Sequence, residues 1–264
     1  MKPKSIIITI STFAVIIALF FIIKQKDKDE IPVPEGMAYV QGNESIKPYF
    51  IDKTLVTVAQ FRKFIEATHY KTESEKFGDS GVFDFKTGEW NLVKGANWQY
   101  PEAKAKAPDN HPVTQVSWND AVAYCKWAKK RLPTKIEYDF AANNAEEEFK
   151  TYAWGENAIE NGKYKANFWQ GSFPQYNSNE DGFQTTSPVG FFGVNKLGLA
   201  DMGGNVWEWT QDWDTEKPTE KVQSGGSFLC DPNVCHGFKI GNTSSTSPET
   251  GLMHLGFRCV RDAK

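Results

Sequence analysis

The sequence predicts an α+β fold in one domain, with helices in its first half and irregular β structure in its second. Between residues 57 and 143, apolar stripes recur at helical spacing, and each opens on a Ser or Thr able to cap it. Beyond residue 150 no long periodic run survives. Short aromatic clusters alternate there with Gly, Asn, Asp and Pro, a pattern of turns and short strands. Hydrophobic residues make up 40% of the 264, with nine Trp, enough for an ample core.

The first element is different in kind. Residues 6–23 (IIITISTFAVIIALFFII) form an uncharged run of 18, flanked by Lys2 and Lys4 before and by Lys24, Lys26 and Lys28 after. At the helical rise this spans about 27 Å, enough for a bilayer core. No small-x-small cleavage site follows, so the expectation is a transmembrane signal anchor over 6–23 behind a short flank at 1–5. A cleaved signal peptide, releasing a secreted protein, is the alternative. Lysines on both sides leave the orientation open. Residues 24–36, charged and then Pro-containing, read as a tether, and 37–264 as the domain.

Within the domain, Thr57 opens a helix with Val58, Phe61, Phe64 and Ile65 on one face. Ser117 and Asp120 form a capping-box pattern. The helix they open carries Trp118, Ala121, Val122, Cys125 and Ala128 as a buried stripe. After Pro133, Thr134 and Glu137 start a third helix, to about Asn143. Short strands are expected at 187–191 and 256–260.

A net charge of −3 and the lack of any run of five basic residues argue against a nucleic-acid partner. There is no phosphate-binding Gly loop, dinucleotide fingerprint, G-x-S-x-G elbow or H-E-x-x-H. Four cysteines remain as the carriers of chemistry. Cys230 and Cys235 lie five residues apart in a Gly-rich, Pro-containing segment. They can form a small disulfide across a turn, bind a soft metal, or act as a nucleophile and its resolving thiol. Zinc would need two more ligands, with His236 and His254 the nearby nitrogens, whereas two thiolates suffice for Cu(I). Cys125, on a buried stripe, and Cys259, at a short apolar strand-like end, read as buried free thiols or as a disulfide closing a very long loop. Residues 201–209 (DMGGNVWEW) suit either Ca2+ ligation through carbonyls and carboxylates or a tight turn with packed Trp, and 177–181 (NSNED) is a second oxygen-rich stretch.

Taken together, several segments resemble the formylglycine-generating enzyme (sulfatase-modifying factor) family across everything after the tether. These are 113–124 (VTQVSWNDAVAY) leading into Cys125, 131–134 (RLPT), 204–209 (GNVWEW), Gly225-Gly226-Ser227 and 255–259 (LGFRC). The Cys-x4-Cys after Gly-Gly-Ser is the specific signal, and 94–98 (KGANW) and 167–171 (NFWQG) agree with it. The resemblance implies a loop-rich, C-type-lectin-like α+β domain. Its activity would be oxidation by O2 of the cysteine in a Cys-x-Pro-x-Arg motif of unfolded sulfatases to Cα-formylglycine. Cys230 and Cys235 would hold Cu(I), and Ser227 and Trp207 would line the oxygen and substrate-cysteine pocket. The same resemblance implies a Cys125–Cys259 disulfide and structural Ca2+ at two places. One set is Asn167, Phe168, Asp181 and Phe183, and the other is Asp201, Gly203, Gly204, Val206 and Glu208. Asp79, Trp98 and His254 are weaker candidates for binding the peptide.

Two departures from the family pattern are visible. Ala142 and Ile240 stand where some relatives have a second disulfide, and residues 236–250 lack the usual arginines, with His254 in place of an Asn. The expected protein is a membrane-anchored monomer whose catalytic domain lies in the periplasm or elsewhere outside the cytoplasm, the compartment a disulfide requires. Its rivals are a non-catalytic lectin-like binding or assembly module on the same scaffold, and a metal-free thiol-disulfide protein.

Overall fold

The computed structural model describes residues 31–263. The flank, the anchor at 6–23 and most of the tether lie outside them. No helix among the described residues is long and apolar enough to cross a membrane. From Glu35 onward the described chain forms one compact unit.

Four helices are present among the described residues, and each begins on a complete capping box. Helix α1 (Val58–Thr68) starts at Thr57, with Gln60 reaching back to the cap, and buries Val58, Phe61 and Phe64. Helix α3 (Trp118–Trp127) is capped by Ser117 and Asp120, and α4 (Lys135–Ala142) by Thr134 and Glu137. The side-chain oxygens satisfy amide donors that a helix start leaves unpaired. Between α1 and α3 lies α2 (Glu73–Phe77), capped by Thr72 and Glu75 and ended by Gly78 in the left-handed region. Five residues are too few to show a period, so no stripe announced it. The stripe on α3 is narrower than expected: Ala121 and Cys125 are buried with Asp120 and Tyr124, while Trp118, Val122 and Ala128 are only partly covered.

The strands β1 (Met37–Val40), β2 (Tyr49–Asp52), β3 (Asp79–Asp84) and β4 (Glu89–Lys94) precede α3. After α4 come two minimal hairpins, β5–β6 (Ile159–Glu160, Lys163–Tyr164) and β7–β8 (Gly171–Ser172, Tyr176–Asn177). Then follow β9 (Trp207–Trp213), β10 (Lys221–Ser224), β11 (Thr243–Thr246), β12 (Leu255–Gly256) and β13 (Val260–Asp262). One sheet has the order β1-β2-β13, a second β11-β10-β9-β12, and β3-β4 stands as a separate ribbon. The fold class is therefore α+β as expected.

Two strand expectations change. The stretch 256–260 is not one strand: β12 pairs parallel with β9, β13 pairs antiparallel with β2, and Phe257–Arg258–Cys259 carries the chain from one sheet to the other. Residues 187–191 are a loop. Their amides are taken by side chains and a distant carbonyl: Ser187 N–H donates to Asn205 Oδ1 at 3.0 Å, Gly190 N–H to Asp201 Oδ2 at 2.7 Å and Val189 N–H to Asn110 O. With its donors so engaged and Pro188 supplying none, the segment has no ladder to join.

The main core joins Phe61 and Phe64 of α1 to Ala121, Tyr124 and Cys125 of α3, and both to Trp209 and Phe257. Cys125 and Cys259 are disulfide-bonded within it, Cα atoms 6.1 Å apart, tying α3 to the inter-sheet crossing over 134 residues of chain. Ala142 and Ile240 meet in a second apolar cluster, so packing occupies the place of the second disulfide.

Candidate active site

The loop after β10 turns twice through left-handed glycines, Gly225 at φ 94° and Gly226 at φ 69°. A side chain at Gly226 would collide with the Phe238 backbone and one at Gly225 with the Tyr138 hydroxyl, so only glycine fits either place. The chain then folds on itself at Ser227: Cys230 N–H donates to Ser227 O at 2.9 Å, Leu229 N–H to Ser227 Oγ at 3.2 Å, and Ser227 Oγ lies 4.0 Å from Cys230 Sγ. Asp231 winds the next turn. Its carboxylate accepts the N–H groups of Asn233 (2.6 Å) and Val234 (3.1 Å), and its carbonyl accepts that of Cys235 at 3.1 Å. This Asx-type cap returns the chain so that Cys235 faces Cys230, with Cα atoms 5.1 Å apart and the sulfurs joined as a disulfide. Cys230 is 2% exposed and Cys235 is on the surface, so one sulfur is enclosed and the other open to exchange.

A cavity of about 160 Å3 opens at this pair, walled by Trp90, Phe173, Trp207, Leu229, Val234 and His254, with Ser227 and Asp231 at its base. The Trp207 ring lies so close over Gly237 that a Cβ there would come within 2.5 Å of it and 2.9 Å of Cys235 Sγ. His254 is locked beside Trp207, whose N–H donates to His254 O at 2.9 Å, and its ring packs against Trp90 with centroids 4.8 Å apart. Burial pushes the His254 imidazole down to about 3, so it is neutral at physiological pH, and its Nδ1 has no protein partner.

Two segments lead out of this cavity. Trp90 and His254 line it. Leu92 and Leu252, each two residues away on the same chain segment, line a second cavity of about 490 Å3 that also receives Phe77, Asp79 and Glu249. Strand β3 lies between the segments: Met253 N–H donates to Gly81 O at 3.1 Å, Gly81 bridges to Leu252, and Gly81 pairs with Leu92 of β4. Residues four places apart in an extended peptide lie about 13 Å from one another, so a bound chain could span both.

Cys230, Cys235, Ser227, Trp207 and His254 thus come together, and Asp79 lies in the adjoining cavity. Trp98 does not join them. It is 1% exposed, packed edge-on to Phe61 at 5.5 Å, and belongs to the core. Asp231, Trp90, Phe173 and Glu249 were missed in the sequence. The Asp-Pro-Asn run after Cys230 is the one local signal that could have found Asp231.

The residues of the first calcium set also meet. Asp181 accepts Phe183 N–H at 2.9 Å and Phe168 N–H at 3.1 Å, and Asn167 Oδ1 is buried without a partner. Burial raises the Asp181 carboxyl despite these donors. In the second set, Asp201 accepts only Gly190 N–H among backbone donors, and burial pushes its carboxyl up to about 6. Glu208 is different: Arg258 grips both its oxygens, and Tyr138 Oη donates to it at 3.0 Å.

Residues 21–263 match the sulfatase-modifying factor enzyme 1-like domain. The formylglycine-generating enzyme of Mus musculus is 40% identical over 279 residues, covering 88% of this chain and 74% of that protein. The inactive C-alpha-formylglycine-generating enzyme 2 of Mus musculus is 38% identical over 242 residues, covering 83% and 77%. Among solved structures, PvdO from Pseudomonas aeruginosa superimposes with a TM-score of 0.61 at 22% identity, covering 82% of this chain and 81% of that one, a likeness of fold.

Proposed function

This chain belongs to the sulfatase-modifying factor family, and from that premise we propose that it is a formylglycine-generating oxidoreductase. It would oxidise the cysteine of a Cys-x-Pro-x-Arg segment in an unfolded sulfatase to Cα-formylglycine, with O2 as oxidant and Cu(I) held by Cys230 and Cys235. The observation that carries the reading is the placement of two adjoining sulfurs on the wall of a pocket, with a second, acid-bearing cavity two residues further along the same two chain segments.

The donor set fits the metal. Two thiols converge, and among the described residues no group of three or more His, Cys, Asp or Glu side chains gathers as a metal site around them or elsewhere. Paired thiolates without further ligands suit Cu(I). As a disulfide the pair offers no thiolate, so the ligating form requires its reduction. Bound there, copper supplies soft-thiolate binding and one-electron chemistry with O2.

The chain's own residues then have separable tasks. Trp207, Trp90 and Phe173 exclude water from the substrate Cβ. Ser227 fixes the turn that carries Cys230, and Asp231 holds Cys235 against it. Neutral His254 offers a hydrogen-bonding nitrogen on the pocket wall without bringing a charge beside the thiolates. Asp79 and Glu249 await the arginine of the motif, a charge-assisted pairing. The substrate carbon loses two electrons, its C–S bond breaks with the sulfur leaving as hydrogen sulfide, and water supplies the aldehyde oxygen. Reduction of O2 to water takes four, so a thiol reductant must supply the rest.

Structural Ca2+ belongs to the same reading. The orphaned Asn167 Oδ1 and buried Asp181 fit the first ion, and the uncompensated Asp201 carboxylate with neighbouring carbonyls fits the second. Glu208 fits it less well, being already paired with Arg258. The Cys125–Cys259 disulfide supports a domain working in an oxidising compartment, in keeping with an anchor at 6–23.

The test is to supply reduced, copper-loaded protein with a Cys-x-Pro-x-Arg peptide, O2 and a thiol reductant, and to look by mass spectrometry for CH2SH becoming CHO. An aldehyde that reacts with a hydroxylamine is expected. Peptide binding without conversion would overturn the oxidase reading in favour of the non-catalytic module.

A further inference from the structure

Strand β9 runs from Trp207, at the cysteine pocket, to a separate cavity about 13 Å further along at Gln211. This cavity has a volume of about 400 Å3, within the range of small-molecule sites. Helix α3 contributes Trp118, Val122 and Lys126, which share one face by their spacing. Leu132, Gln211 and Lys221 close the other sides, with Lys130 and Arg131 at the margin. Four cationic side chains line it and no carboxylate does.

Two of the four cations are already compensated. Lys130 is paired with Asp52. Arg131 makes a bidentate pair with Glu137, at 2.6 and 2.7 Å, and reaches Asp262. Lys126 has no ion-pair partner among the described residues. Lys221 is the unusual one. It is 3% exposed, yet no carboxylate lies within salt-bridge reach of its ammonium, Asp212 acting on it only from further off. It donates one hydrogen bond, to Gln211 O at 2.7 Å, and sits 4.1 Å from the Trp118 ring and 3.8 Å from the Trp213 ring. Buried charges are ordinarily paired, and two indole faces compensate an ammonium only in part. Trp118 is itself fixed, its Nε1–H donating to Thr210 O at 2.8 Å. A rigid apolar wall thus stands beside one buried and one free ammonium.

We propose that this cavity binds a small organic anion with a flat apolar body, an aryl sulfonate, sulfate ester or carboxylate. Lys126 and Lys221 neutralise its head group, and Trp118, Val122 and Leu132 hold its body. The proposal does not depend on the oxidase reading, and its readout is binding alone.

The probe is p-toluenesulfonate, titrated into the full-length protein by calorimetry, with uncharged p-toluenesulfonamide as the neutral isostere. Saturable one-to-one binding is expected, at least about tenfold tighter for the anion than for the amide. Lys126→Gln should weaken the anion about fivefold and leave the amide unchanged, while Val122→Trp should fill the cavity and abolish both. Lys126 is exposed, so its variant tests the proposal even if Val122→Trp fails to fold. No saturable binding up to about 10 mM, equal binding of the two probes, or undiminished binding by Lys126→Gln would each overturn it.

Discussion

Arg258 and Glu208 form an ion pair in which both side chains are fully buried: Nε lies 2.7 Å from Oε2 and Nη2 lies 2.8 Å from Oε1. Tyr138 Oη donates to the same carboxylate, and the guanidinium also donates to the carbonyls of Ala200 at 2.8 Å and Asp52 at 3.3 Å. The pair joins β9, which carries Trp207, to the crossing that carries Cys259. Arg258→Met removes one partner and strands the other charge in the core. The expected cost is about 3–5 kcal/mol, read as a lowered urea midpoint. Arg258→Met with Glu208→Met should recover part of that loss, and a double variant as unstable as the single one would contradict the pairing.

The two cysteine pairs should separate cleanly under mutation. Cys125→Ser with Cys259→Ser opens a loop spanning 134 residues, which by chain entropy costs up to about 5 kcal/mol. A large drop in thermal midpoint is expected. Cys230→Ser, although at a buried sulfur, opens only a loop of five residues and should lower the midpoint much less. A reversal of these two results would mean that the structural and chemical cysteines have been exchanged.

Calcium dependence should follow pH through Asp201. Burial raises its folded pKa to about 6, above an unfolded value of about 3.9. The stability belonging to the protonated form is fully present below the lower value and is lost as pH rises through the upper one. A bound cation offsets that loss. Removing Ca2+ should therefore lower the melting temperature by several degrees, of order 5 °C, near pH 7.5 and by much less near pH 5. An equal effect at the two pH values would contradict the assignment of Asp201.

The acid-bearing cavity makes a substrate prediction. Asp79→Asn with Glu249→Gln should raise the KM of a Cys-x-Pro-x-Arg peptide about tenfold, the worth of one charge-assisted contact. The KM of a Cys-x-Pro-x-Gln peptide should not move. If both peptides suffered alike, the cavity would be structural.

Much of this fold was written locally. The caps at Thr57, Ser117 and Thr134 are local signals and all three are present, while Gln60, which completes the box at Thr57, was not read. The cysteine loop was legible because Gly225, Gly226 and Ser227 mark a turn in any context. What escaped reading is non-local. The adjoining cavity lies where Gly81 N–H meets Gly251 O at 3.1 Å, far apart in sequence, and no periodicity records such a pairing. The segment 187–191 is a loop and not a strand because Asn205 and Asp201 claim its donors from 18 and 11 residues away, which no local pattern records. The resemblance offered Trp98 as a peptide contact, whereas the fold packs it against Phe61 in the core.

The most direct test measures bound Cu(I) and aldehyde product on the same samples of reduced wild-type protein, Cys230→Ser and Cys235→Ser. One Cu(I) per wild-type chain and conversion of the peptide cysteine to formylglycine are predicted, with both lost in either variant. Copper bound by the wild type with no aldehyde formed, or aldehyde formed by either serine variant, would contradict the account.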